Sequence, residues 1–403
     1  MIVFDDAQTS AFYPLTLNRS VGDLRCGILK LRQRLQQALT ADNDAVWIAE
    51  RLAPWYRERH PDWAINAPAA SNELLVNSRL MPSDELWMEL NRLKPGQCLC
   101  DEETVQAVVV SGPMSALPDL AQLKQAGYEL LASGFRLYDK LSDLIHDNDR
   151  LLRYDFERYF YDKDNSFDTE PGVTVLHPYQ IWIGEGVELK PGVVLDASAG
   201  PIVLDAGVRI LPNAVITGPV YLGKGSLVKV GAKIYGPTAI GPVCKVGGEV
   251  EGSIFQAYSN KQHDGFLGHS YVGEWVNIGA DANNSDLKNT YSNVSFYSYP
   301  ERVKVDSGSI FLGALIADHV KLGINTTINT GCVIGLGSNL WGSDLISDFI
   351  PDFSWGMASS LVPYKFPAFC LTAKTVKNRR EVPFSDAEKE LLSAIWKATR
   401  GAH

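Results

Sequence analysis

The chain has 403 residues, 45% of them hydrophobic, and a formal net charge of −10 at neutral pH. That length predicts two to three domains, and the acidic balance argues against nucleic-acid binding, whose footprint is a basic patch. No apolar run reaches the roughly 18–20 residues that a membrane span needs.

The opening MIVFDDAQTS has acids where an export signal has bases, so a cytoplasmic protein without a membrane partner is expected. The six cysteines are scattered, and Cys98-Leu99-Cys100 lacks both zinc-knuckle spacing and a second pair. Free thiols are expected.

Residues 1–168 read as an α/β domain. Met1–Phe4 is a short apolar run ending at Asp5-Asp6, as a buried strand ends at a loop. Ile28, Leu31, Leu35 and Leu39 recur at helical spacing. Further strands are expected at Ala45–Ala49, Glu73–Val76 and Ala107–Val110, with helices at Pro82–Leu90 and Pro118–Gly127. This alternation favours a parallel sheet with ligands at the strand ends. Residues 139–168, acidic and aromatic, read as a helix and a connector to the next domain.

From Gly172 the composition shifts to Gly, Val, Ile and Pro, and a six-residue repeat appears. It runs through Leu204, Ile210, Ile216, Leu222, Val228, Ile234, Ile240 and Val246 without a miss. A second run is Ile310, Ile316, Leu322, Ile328, Ile334 and Leu340, and a lead-in holds Ile183, Leu189 and Leu195. Neither a helix nor a two-residue strand period produces this. A triangular coil with one inward aliphatic per side does, so residues 172–345 are expected to form a hexapeptide parallel β-helix. Spacing leaves its hand open. Residues 346–403 form a C-terminal extension, irregular to 384, with a capping box at Ser385–Glu388 and a short helix near 385–399.

A β-helix of this kind has almost no internal cavity, so chemistry must come from segments that leave it or from grooves beside it. The stretch 253–289 interrupts the repeat and reads as such an excursion. It contains His263, with His269 six residues on. A histidine is suited to removing a proton from an amine attacking a thioester.

The segment SNKQHDGFLGHSYVGEWVNIGA (259–280) resembles the acetyltransferase part of the GlmU family, and most closely a bacterial branch described as sugar nucleotidyltransferases. The resemblance implies an N-terminal nucleotidyltransferase-like domain and a left-handed β-helix that acetylates glucosamine 1-phosphate, as in UDP-N-acetylglucosamine biosynthesis. It implies His263 as general base and Asn277 as a substrate contact. Phe266 stands where the family has a tyrosine, Asp286 where it tends to have asparagine, and Lys261 and Lys288 are candidates for its basic phosphate ligands. Acetyl-CoA would be the acyl donor, its phosphates meeting Lys374, Lys377, Arg379 or Arg380, and a homotrimer is implied.

At the N-terminus, Pro14-Leu15-Thr16 and the strand before it match the sugar nucleotidyltransferase pattern. Residues 5–13, however, lack the family's phosphate-cradling glycines. Thr16, Arg19, Arg25 and Lys30 are the candidates for nucleotide or phosphate contact, with a nucleoside triphosphate as the partner. Asn77 replaces the family's metal-binding acid, which weakens the expectation of Mg²⁺ there. The expected function is thus acetyl-CoA-dependent N-acetylation of an amino-sugar 1-phosphate or nucleotide sugar, paired with nucleotidyl transfer. The alternatives are one retained activity, an inactive scaffold, or a zinc-dependent β-helix, against which His263 and His269 fall on adjacent sides of the prism and His319 has no obvious partner.

Overall fold

A computed structural model describes residues 1–41, 44–101, 103–165 and 170–400. The end of the expected connector, 166–169, lies outside them. The first domain is built on a seven-stranded sheet: β1 (Ile2–Phe4), β2 (Ala45–Trp47), β3 (Ala64–Ile65), β4 (Leu74–Asn77), β5 (Gln97–Cys100), β6 (Val105–Val109) and β7 (Glu129–Ala132). The order is β3-β2-β1-β4-β6-β5-β7. β1 to β4 are parallel, as expected, but β6 runs antiparallel to β4 and to β5. The sheet is therefore mixed.

The helices here are α1 (Leu31–Ala38), α2 (Ala53–Arg59), α3 (Asp84–Arg92), α4 (Leu120–Gln125), α5 (Leu141–His146) and α6 (Asn148–Tyr159). Ser83 caps α3 through the Leu86 N–H, and Asp119 caps α4 through Gln122 N.

The second domain is a three-sided parallel β-helix. Its hexads rotate through three faces, so residues 18 apart stack: Ile216 on Ile234, Leu222 on Ile240, Val228 on Val246. All eight aliphatics of the first run are fully buried. In the second run Ile310 is an exception, exposed on an insertion ahead of the coil that Ala314 and Ile316 re-enter.

The stretch 253–289 corrects an expectation. Through Asn284 it is not an excursion but continuous coil, with strands at Ile254–Ala257, Asn260–Lys261, Phe266–Gly268, Tyr271–Glu274, Asn277–Ile278 and Asn283–Asn284. The segment that leaves the coil follows it and carries an antiparallel hairpin, Ser295–Ser298 with Val303–Asp306. The coils also continue past 345, through Phe349–Ile350 and Ser354–Met357. The extension, expected to be irregular to 384, then forms α7 (Phe366–Asn378) and α8 (Asp386–Arg400).

The two domains share a core. On the second face of the prism the strands read in-out-in, as in Ile202-Val203-Leu204, and the outward residues are themselves apolar: Val203, Tyr221, Ala239, Ile254, Tyr271, Leu315 and Val333. They pack in one cluster with Leu15, Leu24, Leu141, Leu151 and Phe156 of the first domain. Hydrogen bonds key the contact: Arg25 N donates to Gln256 Oε1 at 3.0 Å, and Asn148 Nδ2 to the Pro237 carbonyl at 2.9 Å. A large apolar interface of this kind opposes independent domain motion.

Candidate functional site

One corner of the prism, one or two residues before each third-face strand, carries positive φ. The residues are Gly186, Gly207, Gly225, Val243, Tyr258, Trp275, His319, Gly337 and Phe353. Glycine takes this conformation freely, whereas a side-chain-bearing residue there costs about 1–2 kcal/mol. Tyr258, Trp275 and His319 nevertheless occupy three consecutive coils, at φ 55°, 63° and 62°. Their rings form a column, Tyr258 on Trp275 at 4.3 Å between centroids and Trp275 on His319 at 6.4 Å. Such strain persists where neighbouring structure holds it, which marks the column as a place to look for function.

Two cavities meet on this column. The first, about 270 Å³, lies where the two domains join the C-terminal helices. Asn18 and Arg19 come from the first domain with Trp55 and Arg59 of α2; Glu274, Asp318 and His319 come from the prism; Lys377 and Glu388 come from α7 and α8. Arg19 is ion-paired to Asp318, with Glu274 at 3.8 Å, and Arg59 reaches Glu274 at 3.5 Å. Asn18 Nδ2 donates to Asp318 at 2.9 Å. Burial opposes ionisation of Glu274, but Arg59 and Arg19 outweigh it and hold its pKa at about 2. Burial, reinforced by Lys321 and Lys377, keeps His319 well below the usual histidine range, as a neutral imidazole.

The second cavity, about 350 Å³, is a groove between the third face and α7. Lys245, Lys321, Arg379 and Arg380 line it beside Asn260 and Asn277, with no acid in its wall among the described residues. Arg380 donates to Asn260 Oδ1 at 2.9 Å. Burial and then the neighbouring Arg380, Arg379, Lys229 and Arg209 lower the Lys245 pKa, which is the signature of uncompensated positive charge.

The residues singled out from the sequence separate accordingly. Arg19 and Lys377 meet in the junction cavity, whereas Asn277, Arg379 and Arg380 share the groove. Lys377 is buried, paired with Glu388, and lies 5.2 Å from the Trp55 ring centroid and 5.4 Å from that of Trp275. Lys374 is exposed.

His263 is exposed at the turn between the third and first faces, its ring without hydrogen bond or ion pair among the described residues. Lys261 occupies the strand position that Val246 holds one coil below, fully buried, its ammonium donating to the Gly247 and His263 carbonyls. Burial lowers its pKa to about 8. Phe266 N donates to Asn283 Oδ1, and Lys288 donates to the Asn293 carbonyl. Asp286 is bound to His269 Nδ1 at 2.8 Å, and Phe311 stacks on that imidazole at 5.0 Å.

At the β1–β4 crevice, Asp5 accepts from the Ser20 and Ser78 hydroxyls, and burial lifts its pKa to about 6. Asp6 is gripped by Arg79 at 2.6 Å and by Asn77 at 2.8 Å. Its other oxygen caps the Ala7–Phe12 3₁₀ turn through Gln8 N. Both carboxylates are thus committed, and they do not fit as Mg²⁺ ligands in this arrangement. Lys30 pairs with Asp23 at 3.1 Å, Arg25 donates to the Ile28 carbonyl, and Thr16 donates to the Thr9 carbonyl. Among the described residues no three His, Cys, Asp or Glu side chains group as a metal set, and no helix is long and apolar enough to cross a membrane.

A third cavity, about 710 Å³ and mainly apolar, lies between Tyr13, the hairpin and α8. On its wall Asp352 accepts from Leu336 N at 2.6 Å and Tyr299 Oη at 3.1 Å. Burial raises its pKa from 3.8 to about 7 against those bonds. A raised folded-state pKa makes a contribution that is complete below about pH 4 and lost as pH rises through 7. Asp352→Asn is therefore expected to flatten the fall in melting temperature across that window, as read by thermal scans at stepped pH. An unchanged slope would refute it.

Residues 1–163 match the model of the family described as sugar nucleotidyl transferase. Bifunctional protein GlmU of Synechococcus elongatus is 27% identical over 239 residues, covering 54% of this chain and 48% of that protein. The uncharacterized acetyltransferase YaiX of Escherichia coli is 27% identical over 180 residues, 44% of this chain and 77% of its own. Among solved structures, the UDP-N-acetylglucosamine acyltransferase of Francisella novicida aligns over 54% of this chain and 72% of its own, at 13% identity and a TM-score of 0.31. The chain spans about half the length of the GlmU relative it matches. Its sequence is thus similar to GlmU over about half of the chain, and its N-terminal part is similar to the sugar nucleotidyl transferase family.

Proposed function

We propose that this chain is a transferase of sugar-phosphate chemistry, moving an acyl group from acyl-CoA to the amine of an amino-sugar phosphate or nucleotide sugar. The observation that carries the reading is the third-face groove, where Lys245, Arg379 and Arg380 gather, with no acid in the wall among the described residues, beside the GlmU-like coils. Positive charge left unbalanced in a partly buried groove favours phosphate-bearing ligands. The donor's phosphates would lie there. The acceptor nitrogen attacks the thioester carbonyl, forming the C–N bond. The C–S bond breaks as CoA leaves, and His263 takes the ammonium proton and passes it to the thiolate. Backbone N–H groups at the coil turn would hold the oxyanion.

The test is acetyl-CoA consumption against a panel of amino-sugar phosphates. Arg379→Ala with Arg380→Ala is expected to raise KM for acetyl-CoA about tenfold, equivalent to about 1.4 kcal/mol of phosphate binding, with little change in kcat. An unchanged KM would remove the donor from the groove. The family match of residues 1–163 favours a second activity, nucleotidyl transfer from a nucleoside triphosphate to a sugar 1-phosphate. Because Arg79 holds Asp6, that activity requires the pair to open, and pyrophosphate release with Mg²⁺ reads it directly.

A further inference from the structure

The third cavity is the largest of the three, and the acyl-transfer reading makes no use of it. Its wall joins the Tyr13 segment of the first domain, the hairpin and α8. The rings on that wall brace one another. Tyr13 meets Tyr299 edge-on at 6.0 Å, Tyr297 stacks on Phe349 at 4.0 Å, and Phe349 meets Tyr299 edge-on at 5.3 Å. Rings packed in this way do not swing inward to close the space. From α8 come Ala394 and Ala398, too small to fill it. At about 710 Å³ and mostly apolar, the cavity falls within the roughly 300–1,000 Å³ usual for small-molecule sites.

Charge sets the other requirement on a ligand. Among the described residues the wall holds two cations, Arg51 and Arg302, and one acid, Asp352. Neither arginine has a carboxylate partner there. Arg51 donates to the Leu17 and Thr16 carbonyls and to the Tyr13 hydroxyl, which leaves two of its five N–H donors over. The Arg302 side chain makes no hydrogen bond or ion pair among the described residues. Both residues are exposed, so a ligand at the mouth reaches their guanidinium groups. Asp352 is 9% exposed and commits one oxygen to Leu336 N and Tyr299 Oη.

A small inorganic anion would leave the apolar wall wet, and a cation would meet two guanidinium groups. A neutral hydrocarbon would use neither arginine. An apolar chain ending in a carboxylate meets both requirements. We propose that this cavity binds a fatty acid of medium chain length, with its carboxylate at Arg51 and Arg302 and its chain along the Tyr299 and Phe349 wall. The site is distinct from the third-face groove and from the His263 corner. Occupancy ties the hairpin and α8 to the first domain and stabilises that packing by mass action.

The experiment uses the full chain with no acyl donor or sugar, so its result does not depend on the transfer reading. Decanoate, kept below its micelle concentration, is titrated by calorimetry and by melting temperature, with decanol, acetate and inorganic phosphate as comparisons. Decanoate is expected to bind once per chain and to raise the melting temperature, and decanol to bind about tenfold more weakly. Acetate and phosphate are expected to leave both signals unmoved. Arg302→Ala alters an exposed side chain, so its unliganded melting should stay close to the parent while decanoate weakens about tenfold and decanol is unchanged. Ala398→Trp fills the space and is expected to abolish binding of both. Four results would overturn the proposal: no saturation by decanoate, several decanoates per chain as in adsorption to the surface, decanol as tight as decanoate, or parental affinity in both variants.

Discussion

Replacing His263 by alanine is expected to lower kcat for acyl transfer by about 10²–10⁴-fold, the usual worth of a positioned general base, while KM for acetyl-CoA stays close to the parent value. The ring is exposed and uncommitted, so the substitution removes a proton acceptor without opening the core. Circular dichroism and melting should therefore be unchanged. His269→Ala is the informative comparison. That imidazole is held by Asp286 and covered by Phe311, the arrangement that orients a histidine as base in many acyl transfers. Full activity in His263→Ala, with the loss falling on His269→Ala, would transfer the role to the Asp286-bound ring.

The second large effect concerns stability. Asp155→Ala is expected to cost about 3–5 kcal/mol, because it strands a buried guanidinium. Asp155 and Arg34 are essentially inaccessible. Their carboxylate and guanidinium meet through two hydrogen bonds, each 2.7 Å. The same carboxylate also accepts from Ile28 N at 2.9 Å and Leu29 N at 3.2 Å. It thus fixes the loop just beyond Arg25, whose N–H is bonded to Gln256 and Tyr271 of the prism. Loosening that loop weakens the seam between the domains as well as the first domain itself. Denaturant unfolding measures the loss, and a cost below about 1 kcal/mol would show that the loop holds without the pair.

Much of the prism was legible because its core obeys one rule from Leu204 to Val246, and each of those eight side chains is buried. The rule fails at Lys261, a lysine in an aliphatic's place, and Val246 pairs with a residue only 15 positions on. Asn284 breaks it again, buried and bonded to Gly268 through both its amide atoms. Reading core positions alone therefore turned continuous coil into an apparent excursion.

The candidate site was less visible. Asn277, Arg379 and Arg380 were found by resemblance and charge, and Arg19 by its place after Pro-Leu-Thr. Glu274, Asp318 and Trp55 were missed, and His319 was weighed only as a zinc ligand, since these residues gather from stretches up to about 260 residues apart. One signal was available: Tyr258, Trp275 and His319 stand where four other coils put glycine, and counting that column would have pointed to the corner. In the first domain the strand Gln97–Cys100 escaped because Cys98 and Cys100 were weighed as thiols, while its antiparallel pairing with Val105–Val109 is set by tertiary contact.

The apolar outward stripe of the second face has a consequence for how such a chain can change. Adding or deleting one whole 18-residue turn would leave the prism's interior intact. It would slide every later rung by the spacing of neighbouring strands, about 4.8 Å. Tyr221, Tyr271 and Leu315 would then face the wrong side chains across the seam. The first domain acts as a ruler laid along the prism, so the number of rungs beneath it is fixed by its footprint, and variation in length is confined to the ends.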